Sequence, residues 1–452
     1  MGKMKLENLI ELVDNGQIET VIIAGVDMQG RLFGKRVPAK QFLNFAESGI
    51  HTCALNYSWD ISLEFVDIDF CNWNTGMHDI RIEPDLSTLR LYPWSPKTAL
   101  VLTYSYNKDG SEVTISPRNM LRKQIEKLEN MGMTAFAASE YEFYVYKESS
   151  ESAKEKDYKN LVPLSNYPID YSLYRLTLDD WFLSKITNYL EEAGIEIESL
   201  KGEWGNGQIE LNVKYSEILE MADRSAIYKT GVKEIAALND LMVTFMAKPS
   251  SDTNGSSGHT HISLWDKDGK RNLFYDASKE FQLTETGRYF LGGMIALAPE
   301  MMLFYAPYIN SYKRLTSTEG APNTQSWGLD NRSTSFRLDG EGKSCRIENR
   351  IPGSDVNHYL VFSAMLASGM HGIKNKIDIP EKVTGNASIQ EDLNKLPKNL
   401  MEAVEKFENS DVAKEFFGED VVKHYLTMAK FEITEFLNYV TDWEKKKYFE
   451  FI

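Results

Sequence analysis

The chain has 452 residues, of which 42% are hydrophobic and 26% charged, the makeup of a soluble globular protein with room for one large domain and a smaller one. A formal net charge of -16 and a pI near 5.1 exclude a general nucleic-acid or anionic-membrane binder, because an acidic surface is repelled by both. Cys53, Cys71 and Cys345 show no CxxC spacing, which fits free thiols in a reducing compartment, so a cytoplasmic location is expected.

The opening "MGKMKLENLIELVDNG" is amphipathic and turns acidic, without the apolar run and small-residue cleavage site of a signal peptide. "TVIIAGVDMQGRLFGKRV" predicts two strands about a turn at Asp27 to Gly30. The short helical stretch "AKQFLNFAES" and further extended segments up to "LRLYPW" complete a small sheet-rich domain over residues 1–110. "SPRNMLRKQIEKLENMG" opens a larger domain, 111–452, with Ser116 as N-cap, Pro117 at the first helical position and Gly132 as C-cap. The charged stretch 147–160 reads as a loop, "TLDDWFLSKITNYLEEAG" as a capped helix ending at Gly194, "ADRSAIYKTGVKEIAAL" as another helix and "LMVTFMAK" as a buried strand. The apolar stretch 291–309 is interrupted by Glu300 and two prolines, so it predicts a core helix followed by a loop rather than a membrane span. Helices and strands mix throughout, giving an α+β class.

Four of the strand-like segments carry charge where apolar residues belong. In "SEYEFYVY" (139–146), strand alternation puts Glu140 and Glu142 on one face. In "GEWGNGQIEL", Glu203 and Glu210 bracket a glycine-rich turn that brings both acids toward one point. His259 and His261 alternate in "NGSSGHTHISLW", as do Arg346, Glu348 and Arg350 in "CRIENRI". Each alone reads as a solvated sheet face, a satisfied core histidine pair or an ion-pair ladder; their recurrence on glycine-flanked or apolar-flanked segments points to convergence. Like charges held together need a cation between them. Oxygen-rich ligation with histidine suits Mg²⁺ or Mn²⁺, two or three ions rather than one, since so many carboxylates would overcharge a single ion. Arginines then take carboxylate or phosphoryl groups. No standard nucleotide motif accompanies them: "DGEGKS" (339–344) lacks the first glycine of a phosphate loop, where Arg337 stands.

The strings "EYEF", "GQIE", "FMAKP", "NGSSGHTHISL", "NSYKRL", "NRSTSFR" and "RIENRIPGSDVNHYL" occur in the order found in the glutamine synthetase family of class I type, which the chain resembles from about residue 20 to its end. That resemblance implies a β-grasp-like N-terminal domain and a catalytic domain whose curved antiparallel sheet forms a funnel, in a homo-oligomer of two stacked hexameric rings. It further implies that Glu142, Glu203 and Glu210 hold one metal while Glu140, His259 and Glu348 hold a second against the phosphates of ATP, with His261 nearby. Arg314 and Arg350 would take the carboxylates of glutamate, Asn254 and Gly255 would line that site, and Arg332 and Arg337 would clamp phosphates. In such a site ATP phosphorylates the γ-carboxylate of glutamate and an amine attacks the acyl phosphate, under a flap that excludes water.

The sequence departs from ammonia-using members in three places. Their "DGSS" loop is absent from "HTCALNYSWDIS", where Asp60 is the one acid. The flap "TSTEGAP" has Gly320 in place of their glutamate, with Glu319 one position earlier as the remaining catalytic candidate. Asn394 replaces the tyrosine that is adenylylated in regulated bacterial enzymes, which argues against that control. Ammonium must be bound and discharged, so losing both acids weakens the case for ammonia and favours the γ-glutamylpolyamine and γ-glutamylmonoamide synthetase branch, with Leu55, Tyr57 and Trp59 bordering an amine pocket or else packed as core. Glutamine synthetase proper is the alternative, followed by a non-catalytic relative and a metal hydrolase.

Overall fold

The computed structural model describes residues 2–168, 170–317 and 320–452. Its first sheet is built from β1 (Thr20–Val26), β2 (Leu32–Pro38), β3 (Ile50–Cys53), β4 (Asp79–Pro84), β5 (Arg90–Leu91) and β6 (Thr98–Tyr106) in the order β2-β1-β6-β4-β3, with β5 also on β6. β1 and β6 run parallel at the centre, and the near-continuous apolar run of β6 suits a strand covered on both faces. The outer β2 carries Lys35 and Arg36, charges that discourage edge-to-edge pairing.

The second sheet is larger: β7 (Met133–Tyr146), β8 (Ile197–Gly202), β9 (Gln208–Glu217), β10 (Met242–Thr244), β11 (Thr260–Asp266), β12 (Trp327–Leu329), β13 (Phe336–Asp339) and β14 (Arg346–Asn349). The order is β12-β13-β14-β11-β7-β9-β8, antiparallel except for β12 with β13, and β10 pairs with the far end of β7. Helices cover its apolar face. Among them, Glu285–Tyr305 packs on His358–Asn375 at a separation only glycine permits, since a Cβ on Gly293 would stand 2.2 Å from the Ser368 carbonyl. Pro299 stays inside that helix, and Glu300 is satisfied by the Ser410 hydroxyl. Among the described residues no helix is long and apolar enough to cross a membrane.

The two sheets are joined by buried polar contacts. Arg118, on the helix Pro117–Asn130, reaches Asp85 beside the first sheet at 2.7 Å and Asp223 beside the second at 2.9 Å. The Asn357 amide donates to the carbonyls of Asp27 and Met28 at 3.2 and 3.0 Å, fixing the turn between β1 and β2 against the larger body.

Four local expectations need correction. The helix expected from Thr177 begins at Leu173, behind Ser172. The strand "LMVTFMAK" keeps ladder geometry only over Met242–Thr244, because further along the Lys248 amide donates to the Asn310 side chain and the Ala247 carbonyl accepts from Ser256. The stretch 147–160 holds a short helix, Ser150–Glu155, whose Ser152 amide donates to the Ser149 hydroxyl. The helical stretch after β2 is confined to Ala39–Phe42.

Candidate active site

The charged strand positions fall into cross-strand rows on the open face of the second sheet. Lys201 on β8 pairs in register with Glu210 on β9, which pairs with Glu142 on β7. Arg337 on β13 pairs with Glu348 on β14, which pairs with His261 on β11. Glu140 and Glu142 share that face, while Tyr141 between them is fully buried on the other side, stacked on Tyr228 with ring centroids 4.5 Å apart. The amides of Glu140 and Glu142 donate to the carbonyls of His259 and Ser257, so one strand sets the register of both acids and of the histidine segment.

Two carboxylate-rich groups result. Glu142, Glu203 and Glu210 bring ligand oxygens within 4.8 Å of one another, and Glu140, His261 and Glu348 do the same with two oxygens and a ring nitrogen. His259 belongs beside the second group as well: its Nδ1 lies 3.4 Å from Glu140 and 3.5 Å from Glu348. Both histidines therefore flank Glu140, where the resemblance assigned His259 to the metal and His261 to the phosphates. Gly207 makes the first group possible. It sits at φ +75° in the turn between Glu203 and Glu210, and a Cβ there would stand 2.8 Å from the Val145 carbonyl.

The electrostatics of the two groups differ. Burial and the neighbouring Glu203 push Glu142 up to about 7, although the Ser257 amide donates to it at 2.8 Å and the Gln208 amide at 3.0 Å. Burial and the Glu140 charge push Glu210 up to about 9. Carboxylates under such strain, with oxygen donors converging on one point, fit a hard divalent cation. In the second group burial opposes ionisation of Glu348, but His259 and Arg350 outweigh it and hold the carboxyl down near 2. Burial and Arg350 lower His259 to about 4, leaving a neutral imidazole suited to ligation, whereas Glu140 raises His261 against the effect of its burial.

Four arginines were expected here. Arg337 donates to Glu348 at 2.8 Å, Arg350 pairs with the other oxygen of that carboxylate and also donates to the Arg332 carbonyl at 2.9 Å, and Arg332 lines the cavity. Arg314 lies elsewhere. It is 1% exposed behind the wall, its guanidinium engaged by the Ile351 carbonyl, the Ser257 hydroxyl and the Arg350 carbonyl, so here it braces that wall rather than facing the cavity. Asn254 and Gly255 line the cavity, their carbonyls held by Tyr144 and Gln208. Glu319 lies outside the described residues.

The charged cavity has a volume of about 730 Å³ and reaches from the two acidic groups to Gly320 and Ala321 on one side and Tyr171 and Trp204 on another. It shares Glu140, Asn212 and Arg346 with a second cavity of about 550 Å³, lined by Phe136, Tyr215, Trp265, Ile262 and Val213. Phe136 stands edge-on to Tyr215 and Trp265, with centroids 6.1 and 5.4 Å away. Leu55, Tyr57 and Trp59 line neither cavity. Tyr57 is fully buried with its hydroxyl 2.8 Å from Ser105, so for it packing as core prevails over an amine pocket in this chain. The Asp60 carboxylate is taken up by its own loop, accepting from the amides of Ser62 and Glu64.

Residue-by-residue reading missed Lys201, Gln208 and the aromatic trio. Lys201 had a usable signal, because it lies two positions before Glu203 and so shares its face; the trio comes from three different strands, and no local pattern joins it.

The model of the glutamine synthetase catalytic domain matches residues 114–448. The chain is 41% identical over 447 residues to gamma-glutamylethanolamide synthetase GlnA4 of Streptomyces coelicolor, covering 98% of this chain and 96% of that one. It is 39% identical to glutamate–isopropylamine ligase of a Pseudomonas species, covering 100% and 99%, and 31% identical to glutamine synthetase of Thermotoga maritima, covering 98% and 99%. A solved GmaS/ADP complex superposes with a TM-score of 0.86 at 26% identity, covering 98% and 99% of the two chains. From the fold, the two acidic groups and these matches together, the chain belongs to the glutamine synthetase family.

Proposed function

We propose that the protein is an ATP-dependent ligase that joins the γ-carboxylate of glutamate to an organic amine through a γ-glutamyl phosphate. The observation that carries this reading is the partition of the site: two acidic groups that share strand β7, an arginine-rich wall beside them, and an aromatic cavity bordered by the same strand. The aromatic cavity suits an adenine ring, whose flat faces pack on Phe136, Tyr215 and Trp265, and Arg346 with Glu140 marks the passage between base and phosphates.

Mg²⁺ or Mn²⁺ is the expected occupant of both groups, Glu142, Glu203 and Glu210 holding one ion and Glu140, Glu348 and His259 the other, with His261 beside it. Bound there, the ions would neutralise and polarise phosphate oxygens. The chain's own residues do the rest. Arg332, Arg337 and Arg350 line the cavity, where the first two would clamp the transferred phosphoryl and the third would take the substrate carboxylate, and Arg314 would act through Ser257 and the backbone of Arg350. Gln208 and the Ser257 amide orient Glu142. The segment at Gly320 and Ala321, which lines the cavity, would serve as the cover that keeps water from the acyl phosphate.

An organic amine is favoured over ammonia on one specific observation. The acid of the 51–62 loop is occupied by its own backbone, so that loop offers no free carboxylate to bind and discharge ammonium. The activities named for the Streptomyces and Pseudomonas relatives, with ethanolamide and isopropylamine as the amide and amine, agree with that preference. A cytoplasmic enzyme with domains at 1–110 and 111–452, assembled as two hexameric rings, completes the proposal. Glutamate-dependent ADP release with ammonium and with a panel of mono-, di- and polyamines tests it. Saturation by some amine well below the ammonium requirement is expected, and saturation by ammonium at low millimolar levels with no gain from any amine would overturn it.

A further inference from the structure

Lys201 sits inside the group of acids that the proposed function gives to a metal. Its side chain is 19% exposed, and its ammonium contacts the Glu203 carboxylate while lying 3.7 Å from Glu210 and 3.3 Å from Asp170. The aromatic ring of Tyr171 closes the remaining side, with its centroid 4.5 Å from Nζ. Strand geometry rather than a chance rotamer puts it there. Lys201 is the register partner of Glu210 and lies two residues from Glu203 on the same face, so the side chain points into the group.

A cation is therefore built into the position where the carboxylates call for one. An ammonium and a divalent ion cannot share the same oxygens at close range, because their like charges repel over a few ångströms. The structure also holds a place for the displaced ammonium. Asp170 is within reach and is fixed to β8 by a bridge at Gly202, so a modest rotation of the lysine keeps one ion pair while vacating Glu203 and Glu210.

We infer that Lys201 is an internal counter-ion that competes with the divalent ion at Glu142, Glu203 and Glu210 and moves to Asp170 when that ion binds. Without the ion, it bridges the Glu203 and Glu210 carboxylates. In the loaded enzyme it is a positioning residue at the rim, beside Tyr171, and it sets how much free divalent ion the site requires.

This inference rests on the reading that those three glutamates bind a metal, and the experiment separates the two. Mn²⁺ alone is titrated into nucleotide-free protein, with free ion followed by its electron paramagnetic resonance signal, for wild type, Lys201→Met, Lys201→Arg and Glu210→Gln. Glu210→Gln identifies the step, which it should weaken or remove; if Glu210→Gln leaves every binding step unchanged, the underlying metal reading fails and this inference with it. Given that step, Lys201→Met should bind Mn²⁺ at least about tenfold more tightly there, as removing one like charge at close range in a partly screened site implies, and Lys201→Arg should stay near wild type. Equal or weaker binding by Lys201→Met, with its melting temperature in chelator showing it folded, would overturn the inference. Should Lys201→Met not fold, Lys201→Gln carries the same expectation.

Discussion

Replacement of Glu348 by glutamine separates a ligand from a structural ion-pair partner. The carboxylate is 1% exposed, pairs with Arg337 through one oxygen and with Arg350 through the other, and lies 3.5 Å from His259. Glutamine keeps its shape but removes the charge, leaving two guanidiniums with one carboxylate fewer between them. Breaking a buried pair of this kind costs about 3 kcal/mol of stability. If Glu348 is a metal ligand as proposed, the effect on phosphoryl transfer should be far larger than that on folding, about 10²- to 10³-fold in kcat, because the bound ion would lose a charged ligand. Glutamate-dependent ADP release, read together with the melting temperature in chelator and in Mn²⁺, checks both. The variant should remain folded at assay temperature, lose nearly all turnover and gain less stability from Mn²⁺ than wild type does, since binding to the native state must stabilise it. A variant that melts earlier yet keeps wild-type kcat in its folded fraction would refute the assignment and leave Glu348 as a member of an ion-pair ladder.

Other perturbations test separate parts of the account. Lys229, lowered to about 7 by burial and by Lys233, is neutral in the folded chain above that pH while the unfolded chain stays protonated up to the ordinary 10.5, so stability should rise as pH increases from about 7 to about 10.5. Lys229→Met should flatten that rise and stabilise the protein near pH 7 by about 2 to 3 kcal/mol in denaturant titrations. Tyr215→Ala should raise the KM for ATP about five- to tenfold with little change in kcat, because it removes one wall of the aromatic cavity. Gly207→Ala forces a side chain into positive φ and against the Val145 carbonyl, and should cost about 1 to 3 kcal/mol while weakening Mn²⁺ binding through the displaced Glu203 and Glu210. Mg²⁺ with ATP should raise the melting temperature; no rise would favour a non-catalytic relative.

The site is more legible in the sequence than the elements around it. Alternation on a strand is rigid, so the pattern alone assigns Glu140 with Glu142, and Arg346 with Glu348, to shared faces, and the glycine-rich turn of "GEWGNGQIEL" announces the return of Glu210 toward Glu203. What alternation cannot give is which strands become neighbours. The aromatic cavity needs Phe136, Tyr215 and Trp265 from β7, β9 and β11, and only the sheet order brings them together. Arg314 marks a second limit. Motif position suggests a substrate contact, but whether a guanidinium faces a cavity or braces the wall behind it depends on packing, here on the carbonyls of Ile351 and Arg350. Strand length fails for a related reason: "LMVTFMAK" has the composition of a long strand, but after Thr244 its backbone groups at Met246, Ala247 and Lys248 bond to the Thr244 hydroxyl, to Ser256 and to Asn310 instead of to a ladder.

The most direct test of the account is the fate of oxygen and nitrogen in one reaction. The enzyme is given ATP, Mg²⁺ and glutamate labelled with ¹⁸O in the γ-carboxylate, together with equal concentrations of ammonium and a panel of organic amines, and the products are read by mass spectrometry. One ¹⁸O atom should be transferred to each inorganic phosphate released, with a γ-glutamyl amide of an organic amine as the main product. Unlabelled phosphate would contradict activation of the γ-carboxylate, and glutamine as the sole amide would contradict the choice of an organic amine.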